Sequence, residues 1–150
     1  SNTFVKVISI GASGQGPAYF EVYTKSGLKL TFGSTDASRV FVPGTRNVLY
    51  YLLNRIEEYS TSGNNNYITY EYEKDENNAS YRPSRIRYTQ NNSIAPGANT
   101  SLTDVVFVYE DRNDKESGYI NGIISSITKR LNQIRIIQNS AIKETYSFYY

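Results

Sequence analysis

The side chains of this chain that could do chemistry are carboxylates and tyrosines, because the sequence has no His and no Cys. Asp111, Asn113 and Asp114 in the run DRNDKES bring oxygen donors together as a Ca2+ ion prefers. Their spacing departs from that of a helix–loop–helix calcium site, since Lys115 stands where the third ligand belongs and no Gly follows. The run reads instead as a loop in which Glu110 and Asp114 pair with Arg112 or cap turn amides, Glu110 and Arg112 sharing a strand face. No metal site is expected. Glu57-Glu58, Glu71-Glu73 and Asp75-Glu76 could be imagined as the acid and base of a glycosidase. That chemistry needs two carboxyls across a cleft with one pKa raised by burial, and these pairs stand in charged, polar surroundings. GASGQGPAYF has glycine-rich spacing but no Lys-Ser or Lys-Thr after it, so it reads as a turn and not a phosphate loop.

The tyrosines are the richer signal, 15 in 150 residues. Tyr67, Tyr70, Tyr72, Tyr81 and Tyr88 could form a platform on which sugar rings stack. Equally, Tyr70, Tyr72 and Tyr88 could line an inner sheet face with Ile68 and Ile86, since Tyr buries its ring and keeps its hydroxyl wet. We take Tyr70, Tyr72 and Tyr88 as inner-face residues first and a sugar-stacking site second.

The missing residue types exclude more than the present ones suggest. Without His and Cys there are no disulfides, no zinc or iron–sulfur sites and no Ser-His-Asp or Cys nucleophile machinery. No catalytic residue and no cofactor is expected. A net charge of +2, evenly mixed, argues against a nucleic-acid surface, and Arg82, Arg85 and Arg87 are expected to be answered by Glu71 and Glu73. No apolar run approaches the ~18 residues of a membrane helix, and no signal-peptide pattern opens the chain. The lack of Met and the aromatic end, Tyr146 to Tyr150, lead to the expectation of an excised or processed piece with chain before Thr3 and beyond Tyr150.

The elements that must position these residues read as antiparallel strands, short alternating runs between Gly, Asn, Asp, Ser and Pro clusters. An entry or edge strand runs from Thr3 to Ile10. Tyr19–Thr24 and Leu28–Phe32 flank Lys25-Ser26-Gly27 as the clearest hairpin, with Phe20 and Val22 on one face and Leu28, Leu30 and Phe32 on one face of the partner. Residues 33 to 47 read as a loop with one short strand, Val40 to Val42. Tyr67 to Glu73 follows the turn TSGNNN, and Ser84 to Thr89 repeats its alternation, which would set Glu opposite Arg on the wet face. Val106 to Tyr109 comes after a long polar loop from Gln90 to Thr103. Residues 48 to 59 and 120 to 138 fit a helical period as well as a strand, although Ile134, Ile136 and Ile137 favour the strand. Sequons at Asn78, Asn91 and Asn99 lie in polar loops and, in a bacterial protein, mark only exposure.

Several of these segments, in this order, resemble the Rhs and YD-repeat proteins, and within them the virulence plasmid B-protein family and the B component of insecticidal toxin complexes. GPAYFEVYTKSGLKLTFGST with Asp36 and Ser38-Arg39 is similar to a G-P-x-x-F-x-V-x-T-x-x-G-L segment of that family. Tyr51, Leu53, Ile56 and Glu58 stand at its W-x-L-x-x-I-x-D pattern, with Tyr for Trp and Glu for Asp. Asn66, Ile68, Tyr70 and Tyr72 match N-x-I-x-Y-x-Y, and Pro83, Arg85-Ile86 and Tyr88-Thr89 match P-x-R-I-x-Y-T. Phe107, Tyr109-Glu110, Arg112 and Asp114 match F-x-Y-E-x-R-x-D, with Tyr119, Gly122 and Arg130-Leu131 downstream. The likeness runs from about Gly16 to Ile137.

The resemblance implies hairpins laid side by side as a curved sheet, a strip of an Rhs-type β shell, with both ambiguous stretches extended. The expectation is one all-β domain over residues 1–150, a non-enzymatic structural segment of a larger exported bacterial protein, secreted or at the cell surface. Its partners would be flanking repeats of the same polypeptide and an enclosed toxin polypeptide; a cell-surface carbohydrate-binding or adhesion module is the alternative, with a glycan as partner. A strip without its neighbours is expected to self-associate through an edge strand or the tyrosine face.

Overall fold

Antiparallel pairing takes up most of the described residues. The computed structural model describes residues 5–59, 63, 65–94, 102–120 and 122–150. Thr3 and Phe4 of the entry strand, Thr61, Ser62 and Asn64 of TSGNNN and the Asn99 sequon lie outside the described residues. Eleven strands form, β1 (Lys6–Ile10), β2 (Tyr19–Tyr23), β3 (Leu28–Phe32), β4 (Arg39–Phe41), β5 (Val48–Tyr51), β6 (Leu53–Glu58), β7 (Asn66–Asp75), β8 (Ser80–Asn91), β9 (Thr103–Ile120), β10 (Ile123–Gln138) and β11 (Ala141–Ser147). Among the described residues the only helical piece is a 3-10 turn, Asp36–Ser38. Nine strands make one sheet in the order β1-β2-β3-β6-β7-β8-β9-β10-β11, and β4 and β5 pair separately. The sheet does not close into a barrel.

Both ambiguous stretches are extended. Residues 48 to 59 form β5 and β6, divided at Leu52, whose N–H donates to Ser38 O and whose carbonyl accepts from Gly33 N. Those two bonds take Leu52 out of either ladder and let the chain pass from the small sheet to the large one. The isoleucines of β10 are spread over a pairing surface, Ile136 opposite Val105 and Ile134 opposite Phe107, so helical spacing is coincidental there.

Two boundaries differ from the sequence reading. β8 is longer than Ser84–Thr89, because Ser80 to Arg82 continue the hairpin around the turn at 76–79. DRNDKES is not a loop: it lies inside β9, whose hairpin partner is β10, and the loop comes only after Ile120. Alternating strand geometry points Asp111 and Asp114 to opposite faces, so the oxygen donors do not converge.

Register separates two faces. Val7, Val22, Leu30, Ile56 and Ile68 stand opposite one another in turn across β1, β2, β3, β6 and β7, and Tyr70, Ile86, Val105 and Ile136 continue the row to β10. The alternate positions carry Glu21, Lys29, Arg55, Glu57, Arg87 and Asp104. A second layer lies beside this row, at the Tyr72–Ala79 end of the apolar face, where β4, β5 and the 3-10 turn sit over β7. Val40, Leu52 and Ala79 are its buried residues, with Leu49, Tyr50, Tyr72 and Ile123 packed around them. Lys74 fastens this layer down, its Nζ donating to Asp36 O at 2.7 Å and Arg39 O at 2.9 Å. The GASGQGP turn fastens the other side: Ser13 Oγ donates to Arg46 O, Gln15 N–H to Asn47 Oδ1, and Tyr51 Oη to Pro17 O at 2.7 Å. Gly14, at φ 59°, is required there, since a Cβ would come within 2.2 Å of Asn47 Oδ1. The accessible surface, 9287 Å2, exceeds the about 7,700 Å2 expected of a folded chain of this mass, as a largely single-layered sheet must.

Candidate functional site: the two faces of the sheet

Tyr70, Tyr72 and Tyr88 are brought to the same face and divided among three settings. Tyr70 stands opposite Ile86 in the middle of the apolar row. Tyr72 packs into the covered corner, its hydroxyl donates to Leu53 O at 2.8 Å, and burial raises its pKa above the ordinary tyrosine value. Tyr88 lines an open depression of about 470 Å3 with Leu28, Ile56, Ile68 and Tyr67, and Glu58, Asn66 and Gln90 stand at the same depression. The wider platform of five tyrosines does not assemble: Tyr67 lies under the Arg55 guanidinium, 3.7 Å from its ring centre, and Tyr81 leans on Tyr50 and Tyr72. All three of Tyr70, Tyr72 and Tyr88 are half-buried.

The opposite face is a band of ion pairs. Lys29 Nζ lies 3.5 Å from Glu21 and 2.6 Å from Glu57, and Glu57 also takes Arg55 at 2.6 Å. Arg87 meets Asp104 in a two-pronged contact at 2.7 and 3.0 Å. Arg85 lies between Asp104, at 3.7 Å, and Glu71, at 4.0 Å. Burial alone would raise the Glu57 carboxyl, whose side chain is 8% exposed, but the hydrogen bond from Lys29 and the charges of Arg55 and Lys29 outweigh it and hold the pKa low. Lys29 is the mirror case: burial pulls its ammonium down and the two glutamates more than restore it.

The glutamates and arginines of the β7–β8 hairpin pair as their alternation implied, with one difference. Glu71 faces Arg85 and Glu73 takes Arg82 at 2.7 Å, but Arg87 is answered by Asp104 of the next strand. A bulge between Glu71 and Tyr72 shifts the register, and the sequence does not announce it. The sequence reading also missed Lys29, Glu57 and Asp104 as members of the band. The signal was present, since Lys29 with Thr31 and Arg55 with Glu57 alternate against Leu30 and Ile56.

Three of the carboxylates, Glu57, Glu73 and Glu110, are held ionised by cationic or amide partners. Glu73 is held low by its hydrogen bond from Arg82, and Glu110 by Asn132 and Arg130, so the shifts run opposite to a glycosidase acid. Asp114 pairs with Arg112 as expected, at 3.0 Å, whereas Glu110 turns to Arg130 at 2.6 Å. Among the described residues no three acidic side chains gather as a metal site would require. No described helix is long and apolar enough to cross a membrane.

No family model matches the sequence, and no curated protein matches it. Solved structures do match its fold. The N-terminal domain of the effector protein SpvB from Salmonella typhimurium strain LT2 is similar at a TM-score of 0.71 and 14% identity, over 92% of this chain and 55% of that one. The TcdB2-TccC3-TEV crystal structure is similar at a TM-score of 0.63 and 15% identity, over 92% of this chain and 8% of that one. The chain thus spans about half the length of the first and a small part of the second. At such identities the likeness establishes the fold alone: this open antiparallel sheet is similar in fold to parts of the SpvB and TcdB2-TccC3 structures, in agreement with the resemblance that the sequence motifs carry.

Proposed function

We propose that the chain is a structural β-shell segment of a larger exported protein of the Rhs and toxin-complex kind, with no catalysis of its own. The observation that carries this reading is the unclosed sheet, whose apolar row from Val22 to Ile136 lies outside the one corner that has a second layer. A self-sufficient domain of this length normally buries such a row from end to end. Here the uncovered part is the surface that flanking repeats, and an enclosed toxin polypeptide, would complete. Support also comes from Glu57, Glu73 and Glu110, which are spent on cation partners and held ionised.

Electron cryomicroscopy of the full-length protein is the test. The sheet is expected to continue into strands of the neighbouring chain, and an isolated module on flexible linkers would overturn the reading. Turnover of glycoside and peptide substrates by the purified chain is expected to stay at background.

A second reading, a glycan-binding or adhesion module, is favoured by one feature, the depression at Tyr88. An aromatic ring beside Glu58, Asn66 and Gln90 is chemistry that a pyranose can use. A glycan array decides it: binding abolished by Tyr88→Ala would support this reading over the first.

A further inference from the structure

Among the described residues the free strand edges of the main sheet include those of β1, β11 and the far half of β9, and they are guarded unequally. The outer edge of β11 carries Lys143 and Glu144, and its pairing with β10 is broken by a bulge between Ile136 and Ile137. The far half of β9, beyond its ladder with β8, carries Asp111, Arg112, Asp114, Lys115 and Glu116. Charges and bulges on an edge are what prevent another strand from adding to it.

The β1 edge has neither device. Its ladder with β2 runs in unbroken register from Lys6–Tyr23 to Ile10–Tyr19. Val5 and Val7 are exposed, at 48% and 59%. Its one charge, Lys6, is laid back over the Tyr23 ring at 5.9 Å. Val7 also ends the apolar row through Val22, Leu30 and Ile56, so the row runs out into water at this strand.

We propose that β1 is the edge through which two copies of this chain associate, antiparallel, about a two-fold axis at Val7 normal to the sheet. That operation keeps each face on its own side and places Val7 opposite the second copy's Val7, extending the apolar row across the junction. Lys6 then stands opposite Ile8 and Val5 opposite Ser9, so no like charges meet. The same operation on β11 sets Lys143 or Glu144 opposite itself in two of the three central registers. A contact of about five residues per strand falls well below the ~1,200 Å2 of a standard stable interface, so the association is weak and concentration-dependent. The inference does not rest on the shell reading, since it concerns the 150-residue chain alone.

Sedimentation velocity over a wide concentration range tests it. The wild-type sedimentation coefficient should rise with concentration; Val7→Lys should abolish the rise, and Thr145→Lys on β11 should leave it intact. If Val7→Lys lowers the melting temperature, Val5→Lys supplies the same charge outside the ladder. The chain has no cysteine, so Val7→Cys reads the register directly: oxidation should yield a covalent dimer, and Thr145→Cys should not. A concentration-independent wild type, or association lost with Thr145→Lys and kept with both Val variants, overturns the proposal.

Discussion

The corner beneath β4 and β5 and the outer half of the β9–β10 hairpin are made of the same antiparallel ladder and held by different forces. In the corner, Val40 and Leu52 are nearly removed from water, at 2% and 6% exposure, and backbone bonds tie Gly33 and Ser38 to Leu52. In the ribbon, Asp111 to Ile120 are exposed apart from Arg112, cross-strand charges such as Lys129–Asp111 stand where a second layer would be, and among the described residues at the tip only Ile123 returns to the corner. Surface pairs of this kind contribute little, whereas burial of a Leu contributes several kcal/mol. The difference teaches that the ladder alone does not set the stability here; the corner does, and the ribbon is carried by its attachment.

That contrast is broken most directly in the corner. Leu52→Ala should cost about 2–5 kcal/mol and lower the melting temperature of the whole chain, measured by calorimetry. An effect no larger than that of a ribbon mutation would show that stability is spread evenly. Between the extremes lies the ion-pair band. Glu57→Gln should cost about 1–3 kcal/mol at neutral pH, because it leaves Lys29 and Arg55 without their shared partner. Since the folded-state pKa of Glu57 lies below its unfolded value, its contribution is present above the ordinary carboxylate range and is lost as pH falls through the folded value. In urea melts the gap between wild type and Glu57→Gln should therefore be present at pH 7 and close as the pH falls below the ordinary carboxylate range.

Smaller effects sharpen the boundary between the regions. Backbone pairing of β8 with β9 spans only Arg85 to Tyr88, and Pro83, which has no N–H to give, lies just beyond it. Tyr109 Oη donates to Pro83 O at 2.7 Å in place of a ladder bond. Tyr109→Phe should cost about 1 kcal/mol and speed amide exchange in the outer ribbon more than in the corner. Smallest of all, Arg112→Ala should change stability by less than about 0.5 kcal/mol. EDTA should leave the melting temperature where it is; a clear fall would mean that Asp111 and its neighbours hold an ion after all.

Most of the sheet was legible because period-two alternation and turn chemistry agree along the chain. Phe20 faces Phe32 and Val22 faces Leu30, as their alternation requires. The Glu71–Arg85 pairing also follows from local pattern, whereas Glu73 meets Arg82 only through the bulge after Glu71. What stayed hidden depends on contacts between distant segments. Nothing near Arg87 in sequence points to Asp104, and nothing in DRNDKES says that an oxygen-rich polar run continues a strand rather than ending one. The separate sheet of β4 and β5 hinges on Leu52 giving both backbone groups to Gly33 and Ser38, a choice made by the fold and not by residue preference. For the tyrosines, the sequence placed Tyr70, Tyr72 and Tyr88 together on a face but could not say that Tyr72 belongs to the corner and Tyr88 to a depression.

The count of strands in the large sheet has a directional consequence. Nine strands joined only by antiparallel neighbours make β1 and β11 run the same way. A copy added by simple translation would therefore set its β1 parallel to β11, and restoring the antiparallel sense by turning that copy over would align its charged face with the apolar one. Endless head-to-tail growth must accept one of these mismatches at every junction. A two-fold contact at β1 meets neither and closes on itself, so an odd number of strands favours a finite pair over a fibre.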